Sequence, residues 1–189
     1  MPFAYYERLS RAEQAIYRAS DAITWVQLDG AAELASVVDA VRTGLERDDR
    51  AALQRAAARL TCGICAAFGV RPPRVEVLEV RPSFTGGELH GLYTLDVRGR
   101  AAIQVWMRTA RHARVVAFRT FLRTLLHEIG HHLDFRVLGL PASFHTEGFF
   151  KRESSLFHQL VPEARADPGR TRAVPRRGGE PARRSRSRS

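Results

Sequence analysis

The longest periodic segment of the chain, residues 115–139, constrains the fold most because its pattern predicts one long amphipathic helix. Apolar side chains recur there every three or four positions and so share one stripe of the helix: Phe118, Leu122, Leu126, Ile129, Leu133 and Val137. Since each residue turns a helix by about 100°, His127, His131 and Asp134 lie on the opposite face. The segment therefore predicts a helix that is buried on one side and carries polar side chains on the other.

The polar face of this helix contains the string HEIGH, residues 127–131. Its spacing sets His127 and His131 one turn apart, where both rings can reach one cation at about 2.0–2.1 Å. Bound Zn²⁺ lowers the pKa of water from about 15.7 to about 7, and the neighbouring Glu128 can accept the released proton as a general base. Such a string also arises by chance, but its position on the polar face of a long helix favours metal binding.

A catalytic zinc ion needs a third protein ligand and one open coordination position. The imidazole and carboxylate groups downstream of the helix supply four candidates: His145, Glu147, Glu153 and His158. His145 is preferred because it follows a Gly-Leu-Pro helix stop, after which the chain has room to turn back. Glu147 or Glu153 would make a glutamate-type zinc site instead, and His158 is expected on an exposed helix face.

The stretches LLHEIGHHLD and HTEGFF resemble the zincin-like metallopeptidases, and among them the small SprT-like and WLM-type proteases. Those enzymes pair HExxH with a later histidine and a phenylalanine four residues on, a spacing matched by His145 and Phe149. The resemblance covers about residues 70–161. The same stretch also resembles a family of uncharacterised bacterial proteins with a predicted metallopeptidase site. It implies a small sheet whose edge strand lines the cleft and pairs with an extended substrate, and we expect AAIQVWM (101–107) at that edge. The four-cysteine zinc ribbon of the DNA-associated SprT-like enzymes is missing.

The order of the predicted elements is helices, then strands, then helices, which indicates an α+β fold. Residues 1–69 are predicted as an N-terminal helical region. Residues 70–161 are predicted as the zincin-like core, with a small, mainly antiparallel sheet, the active-site helix and a C-terminal helix over 147–160. Residues 162–189 are rich in Arg, Pro, Gly and Ser and are predicted to be a disordered tail.

The sequence thus predicts a zinc-dependent peptidase acting on a protein or peptide substrate. His127, His131 and His145 would bind Zn²⁺, and Glu128 would be the catalytic general base. Two alternatives stay open. The first is a zinc-stabilised binding module without enzymatic activity, and the second is an enzyme that hydrolyses a non-peptide amide.

Charge and composition bear on partners and compartment. The formal charge is +10, and residues 161–189 hold nine arginines against three acids, which leaves +4 for the first 160 residues. The tail could bind phosphate backbones weakly and without sequence preference, although a biased disordered extension explains it equally well. No apolar run approaches the roughly 18 residues of a membrane span, and the N-terminus lacks a signal-peptide pattern. We therefore expect a cytoplasmic protein without membrane contact, in which Cys62 and Cys65 stay reduced and face the core.

Four further side chains near the motif have candidate roles. Asp134 could orient a ligand imidazole by a hydrogen bond on the side away from the metal, or it could be a solvated acid on the helix surface. His132 lies off the ligand face and is expected to be a packing or surface residue. Tyr93 or His90 could stabilise an oxyanion, as zincins often use such residues.

Overall fold

The computed structural model describes residues 3–165, which form a mixed α/β protein with five α-helices, a three-stranded sheet and a two-stranded sheet. In chain order the elements are α1 Arg11–Ala22, α2 Ala35–Glu46, α3 Arg50–Ala67, β1 Arg74–Val80, β2 Ser83–Phe84, β3 Gly87–Glu88, β4 Gly91–Leu95, β5 Ala101–Arg108, α4 Phe118–Arg136 and α5 Glu147–Leu160. The predicted succession of helices, strands and helices is confirmed. Most of the tail predicted to be disordered lies outside the described residues, and its first four form a 3₁₀ turn, Pro162–Arg165.

Side-chain caps fix where helices begin. At α1, the Ser10 hydroxyl accepts from the Glu13 amide at 3.3 Å, and the Glu13 carboxylate accepts from the Ser10 amide at 2.8 Å. This capping box sets the start of α1 at Arg11. At α5, Thr146 accepts from the Phe149 amide at 2.9 Å, so the helix begins directly after the loop that carries His145.

Strand β5 lies in the centre of the sheet, in the order β1-β5-β4. Val105 pairs with Val77 of the parallel strand β1 on one side and with Gly91 of the antiparallel strand β4 on the other. The prediction that residues 101–107 form the edge strand is therefore wrong. Ile103, Val105 and Met107 are fully buried, and a strand of this kind is covered best between two neighbours. The edge beside the HEIGH helix is β4 instead.

One apolar core joins the N-terminal helices to the rest of the protein. Val41 of α2, Leu60 of α3, Val105 of β5 and Leu125 of α4 are all fully buried and belong to one contiguous cluster. Helices α2 and α3 thus share their core with the sheet and with α4. None of the helices within residues 3–165 is long and apolar enough to cross a membrane.

The two cysteines of α3 have different surroundings. Cys65 is buried in the core, and this burial raises the pKa of its thiol to about 12. Cys62 is exposed, so the expectation that both cysteines face the core holds for Cys65 alone.

Candidate metal centre

Three imidazoles meet where α4 faces the loop that leads into α5. The ring centroids of His127 and His131, one turn apart on α4, are separated by 4.9 Å. The loop turns back so that His145 Nε2 lies 2.9 Å from His127 Nε2 and 3.1 Å from His131 Nε2. Two nitrogens bound to one tetrahedral zinc at 2.0–2.1 Å are about 3.3–3.4 Å apart. The structure therefore brings together the three predicted ligands at nearly the separation that one ion requires.

The protonation of these rings suits a metal. Burial, together with the neighbouring His127 and His145, lowers the pKa of His131 to about 3. Burial also lowers the pKa of His145, with His127 contributing. Neutral imidazole is the form that binds a metal, because its ring nitrogen then has a free lone pair.

Glu153, predicted as an alternative ligand, lies behind His127 instead. Its Oε2 is 3.1 Å from His127 Nδ1, and its Oε1 is 3.4 Å from Arg123 Nη1. A carboxylate at this position accepts the Nδ1 proton, so the Nε2 lone pair points to the cluster. Glu153 is therefore suited to orient a ligand rather than to be one.

The two remaining alternatives lie outside the cluster of rings. Glu147 is half exposed at the start of α5 and pairs with Lys151 at 2.7 Å. His158 packs edge-on against the Phe157 ring, with the centroids 5.6 Å apart. Neither side chain joins the group of three imidazoles.

His131 is held by a serine that sequence reasoning missed. Ser143 Oγ lies 2.7 Å from His131 Nδ1 and donates to Asp134 Oδ2 at 2.7 Å. Because the hydroxyl proton goes to Asp134, the Ser143 oxygen accepts from His131 Nδ1 and leaves Nε2 free for a metal. Asp134 thus acts on the imidazole through Ser143, and no spacing rule in the sequence marks a loop serine for this role.

Asp134 is in turn anchored by a buried arginine. Asp134 is 1 % exposed and Arg152 is 5 % exposed, and Arg152 Nη2 donates to Asp134 Oδ1 at 2.8 Å. The same guanidinium donates to the carbonyl oxygens of Ser20 and Ile23 at the end of α1, and to Ser20 Oγ. Arg152 therefore links the end of α1 to the Asp134 carboxylate, which positions His131 through Ser143.

The N-terminal segment also holds the loop that carries His145. The Tyr5 hydroxyl donates to the His145 carbonyl oxygen at 2.9 Å. Asp21 Oδ1 accepts from the Gly148 amide at 2.8 Å, and a Cβ on Gly148 would clash with the Asp21 backbone. Residues outside the region of family resemblance are thus part of the support of the site.

Glu128 lies beside the imidazoles with its carboxylate packed under strand β4. Its side chain is nearly buried, and burial raises its pKa to about 7, against opposing effects of His127 and of a hydrogen bond from the Tyr93 amide. A Cβ on Gly91 would overlap the carboxylate, so a glycine here leaves room for the Glu128 side chain in this position. A carboxylate with this pKa can both accept and donate a proton near neutral pH.

His132 and Tyr93 have structural roles. His132 is 2 % exposed, and its Nδ1 lies 3.1 Å from the Tyr93 hydroxyl while its Nε2 lies 2.8 Å from the Arg71 carbonyl oxygen. His132 is therefore a packing residue, one of the two expected alternatives. The Tyr93 hydroxyl is engaged there, and both predicted oxyanion donors border the cleft, His90 at the smaller cavity and Tyr93 at the larger one.

An open cleft runs between α4 and strand β4. It consists of two cavities of about 310 and 370 Å³, and Gly91, His127 and Glu128 line both of them. The three-imidazole cluster lies at the second cavity, which also reaches Ser143. The site is therefore accessible to a molecule much larger than water.

Replacing Ser143 with Ala should weaken metal binding. The substitution removes the acceptor that fixes the His131 tautomer, so we expect zinc affinity to fall about 10–100-fold. Competition with a chromogenic chelator measures this, with Ser83→Ala on the exposed strand β2 as the control. Equal zinc affinities of Ser143→Ala and the unmodified protein would contradict the role of Ser143.

Replacing Arg152 with Met should destabilise the whole fold. It leaves Asp134 buried without its charged partner, a change that typically lowers the free energy of unfolding by about 3–5 kcal/mol. Urea denaturation of the metal-free protein tests this, and the exposed Arg59→Met should change the value by no more than about 0.5 kcal/mol. A loss below about 1 kcal/mol for Arg152→Met would show that Asp134 does not depend on this ion pair.

Comparison with protein-family models, with curated proteins and with solved structures gives no match for this chain. The arrangement of the side chains is thus the basis for a functional assignment. Three imidazoles, two of them held through Nδ1, form a set of nitrogen ligands that suits Zn²⁺ and a few other transition metals, and a carboxylate lies next to it.

Proposed function

We propose that the protein is a zincin-like, zinc-dependent peptidase, with His127, His131 and His145 as metal ligands and Glu128 as the general base. The observation that carries the proposal is the convergence of three Nε2 atoms beside a nearly buried carboxylate. Three histidine ligands and one open position are the composition of a catalytic rather than a structural zinc site.

The metal would supply Lewis-acid activation of a water molecule and of the substrate carbonyl group. Glu128 would take the proton from the attacking water and later give it to the leaving amine, for which a pKa of about 7 is well suited. Glu153 and Ser143 keep the ligand rings in the required tautomers throughout. The hydrogen bond from the Tyr93 amide keeps Glu128 against β4, beside the open cleft.

Strand β4 supports a peptide as the substrate. It pairs with β5 on one side only, so its other edge has backbone groups available for an extended chain. Gly91 of this strand and Glu128 line the same cleft. A peptide paired along β4 would therefore have its backbone carbonyl groups next to the imidazole cluster. A small non-peptide amide would not need a free strand edge to bind.

Replacing Glu128 with Gln should abolish hydrolysis without removing the metal. Loss of a general base lowers rates by about 10²–10⁴-fold, while the three imidazoles stay in place. Mass spectrometry of new termini in a mixture of unfolded proteins, together with zinc content, measures both effects. The control is Glu46→Gln, at an exposed position at the end of α2. If Glu128→Gln retains zinc and cleaves at the rate of the unmodified protein, the peptidase proposal fails. Cleavage of small amides alone would instead support an amidase.

Replacing His145 with Ala should remove the bound metal. With two imidazoles left, we expect zinc to be lost on dialysis and hydrolysis to disappear with it. His158→Ala is the matched control, because that ring lies outside the cluster and its loss should leave the zinc content unchanged. Full zinc content and intact activity in His145→Ala would exclude His145 from the ligand set.

A further inference from the structure

The two halves of the cleft differ in chemistry. The larger cavity is bordered beyond the imidazoles by Leu92, Tyr93 and Phe135, which give it an apolar wall. The smaller cavity is bordered by polar groups, among them His90, Arg123 and Thr124. A substrate that spans the cleft therefore meets apolar side chains on one side of the metal cluster and polar ones on the other.

Arg123 is the fixed cation of the polar half. It lies one helical turn before His127 on α4, its guanidinium packs over the Phe157 ring at 4.1 Å, and its side chain is 40 % exposed. Of its five N–H donors, one contacts Glu153, at the long distance of 3.4 Å. The ring contact restricts the direction of the side chain, which borders the smaller cavity.

The two acidic side chains at the smaller cavity, Glu153 and Glu128, already interact with other groups of the protein. Glu153 is 11 % exposed and bonds to His127 with its other oxygen, and Glu128 is held against β4 by the Tyr93 amide. On the facing wall, burial and the nearby Arg81 lower the pKa of His90, which makes its ring a neutral hydrogen-bonding group at pH 7. A carboxylate that enters this cavity would meet unused N–H donors rather than a free anion.

We propose that Arg123 forms a subsite for a carboxylate of the substrate, on the leaving-amine side of the bond that is cut. Antiparallel pairing is the more stable arrangement for a chain added to β4. It would run from Tyr93 towards His90, and so would bring the residues after the scissile bond to Arg123. The carboxylate can be an acidic side chain or the C-terminus of a peptide, since both present the same planar group to a guanidinium. This inference rests on the proposed peptidase function.

Three matched ligands test the subsite in the zinc-loaded full chain. Each carries a malonyl hydroxamate, which binds the metal, joined to Asp-amide, to Asn with a free C-terminus, or to Asn-amide. Calorimetry should show at least one of the two acids binding about tenfold tighter than the neutral amide. The ratio should fall to about one in Arg123→Met and persist in Arg119→Met, an exposed arginine one turn earlier on α4, while the neutral ligand binds all three proteins alike.

The outcomes separate this subsite from the function on which it rests. If all three ligands bind with equal affinity, or if the preference for acids survives in Arg123→Met, the subsite is wrong and the metal centre stands. If none of the ligands binds, the metal centre and the peptidase proposal fail together with the subsite. Tighter binding of only the Asp-amide, or only of the free acid, identifies which kind of carboxylate is recognised.

Discussion

The candidate metal centre depends on one buried charge, the guanidinium of Arg152. A guanidinium removed from water is stable only when nearly all of its donors are used, and here they are shared between Asp134 and the end of α1. Asp134 holds Ser143, and Ser143 holds His131. The position of an imidazole at the surface of the cleft is thus set by an ion pair in the interior.

Local patterns in the sequence were sufficient to predict the part of the site that lies on one helix. The helical period alone puts His127 and His131 on one face. The helix stop after α4 indicates that the chain can turn back there and bring His145 towards them. The same period also placed Asp134 near this face, and its carboxylate does act on the His131 imidazole, through Ser143. These inferences hold because they depend on neighbours within a few turns of each other.

Other features could not be predicted because they depend on contacts between distant parts of the chain. The order of the strands depends on how completely β5 is buried, and this is set by packing between distant segments. The apolar alternation in AAIQVWM fits an edge strand and a central strand equally well. Ser143 and Arg152 are ordinary residues in sequence, since nothing nearby marks them as partners of His131 or α1. The role of Gly91 was hidden for the same reason, because it exists only opposite the Glu128 carboxylate.

The support of the site joins the two ends of the described chain. Tyr5 and His145 are 140 positions apart, and Ser20 and Arg152 are 132 positions apart. Contacts of such sequence separation are slow to form, because closing the long loop between the partners costs conformational entropy before the contact contributes. During synthesis, α1 would emerge long before its partners on the loop and α5. The two histidines of α4 would likewise emerge before Ser143 and Glu153, which contact their rings. The support of the imidazole cluster would therefore be complete only after α5 has been made and Arg152 has packed against the end of α1.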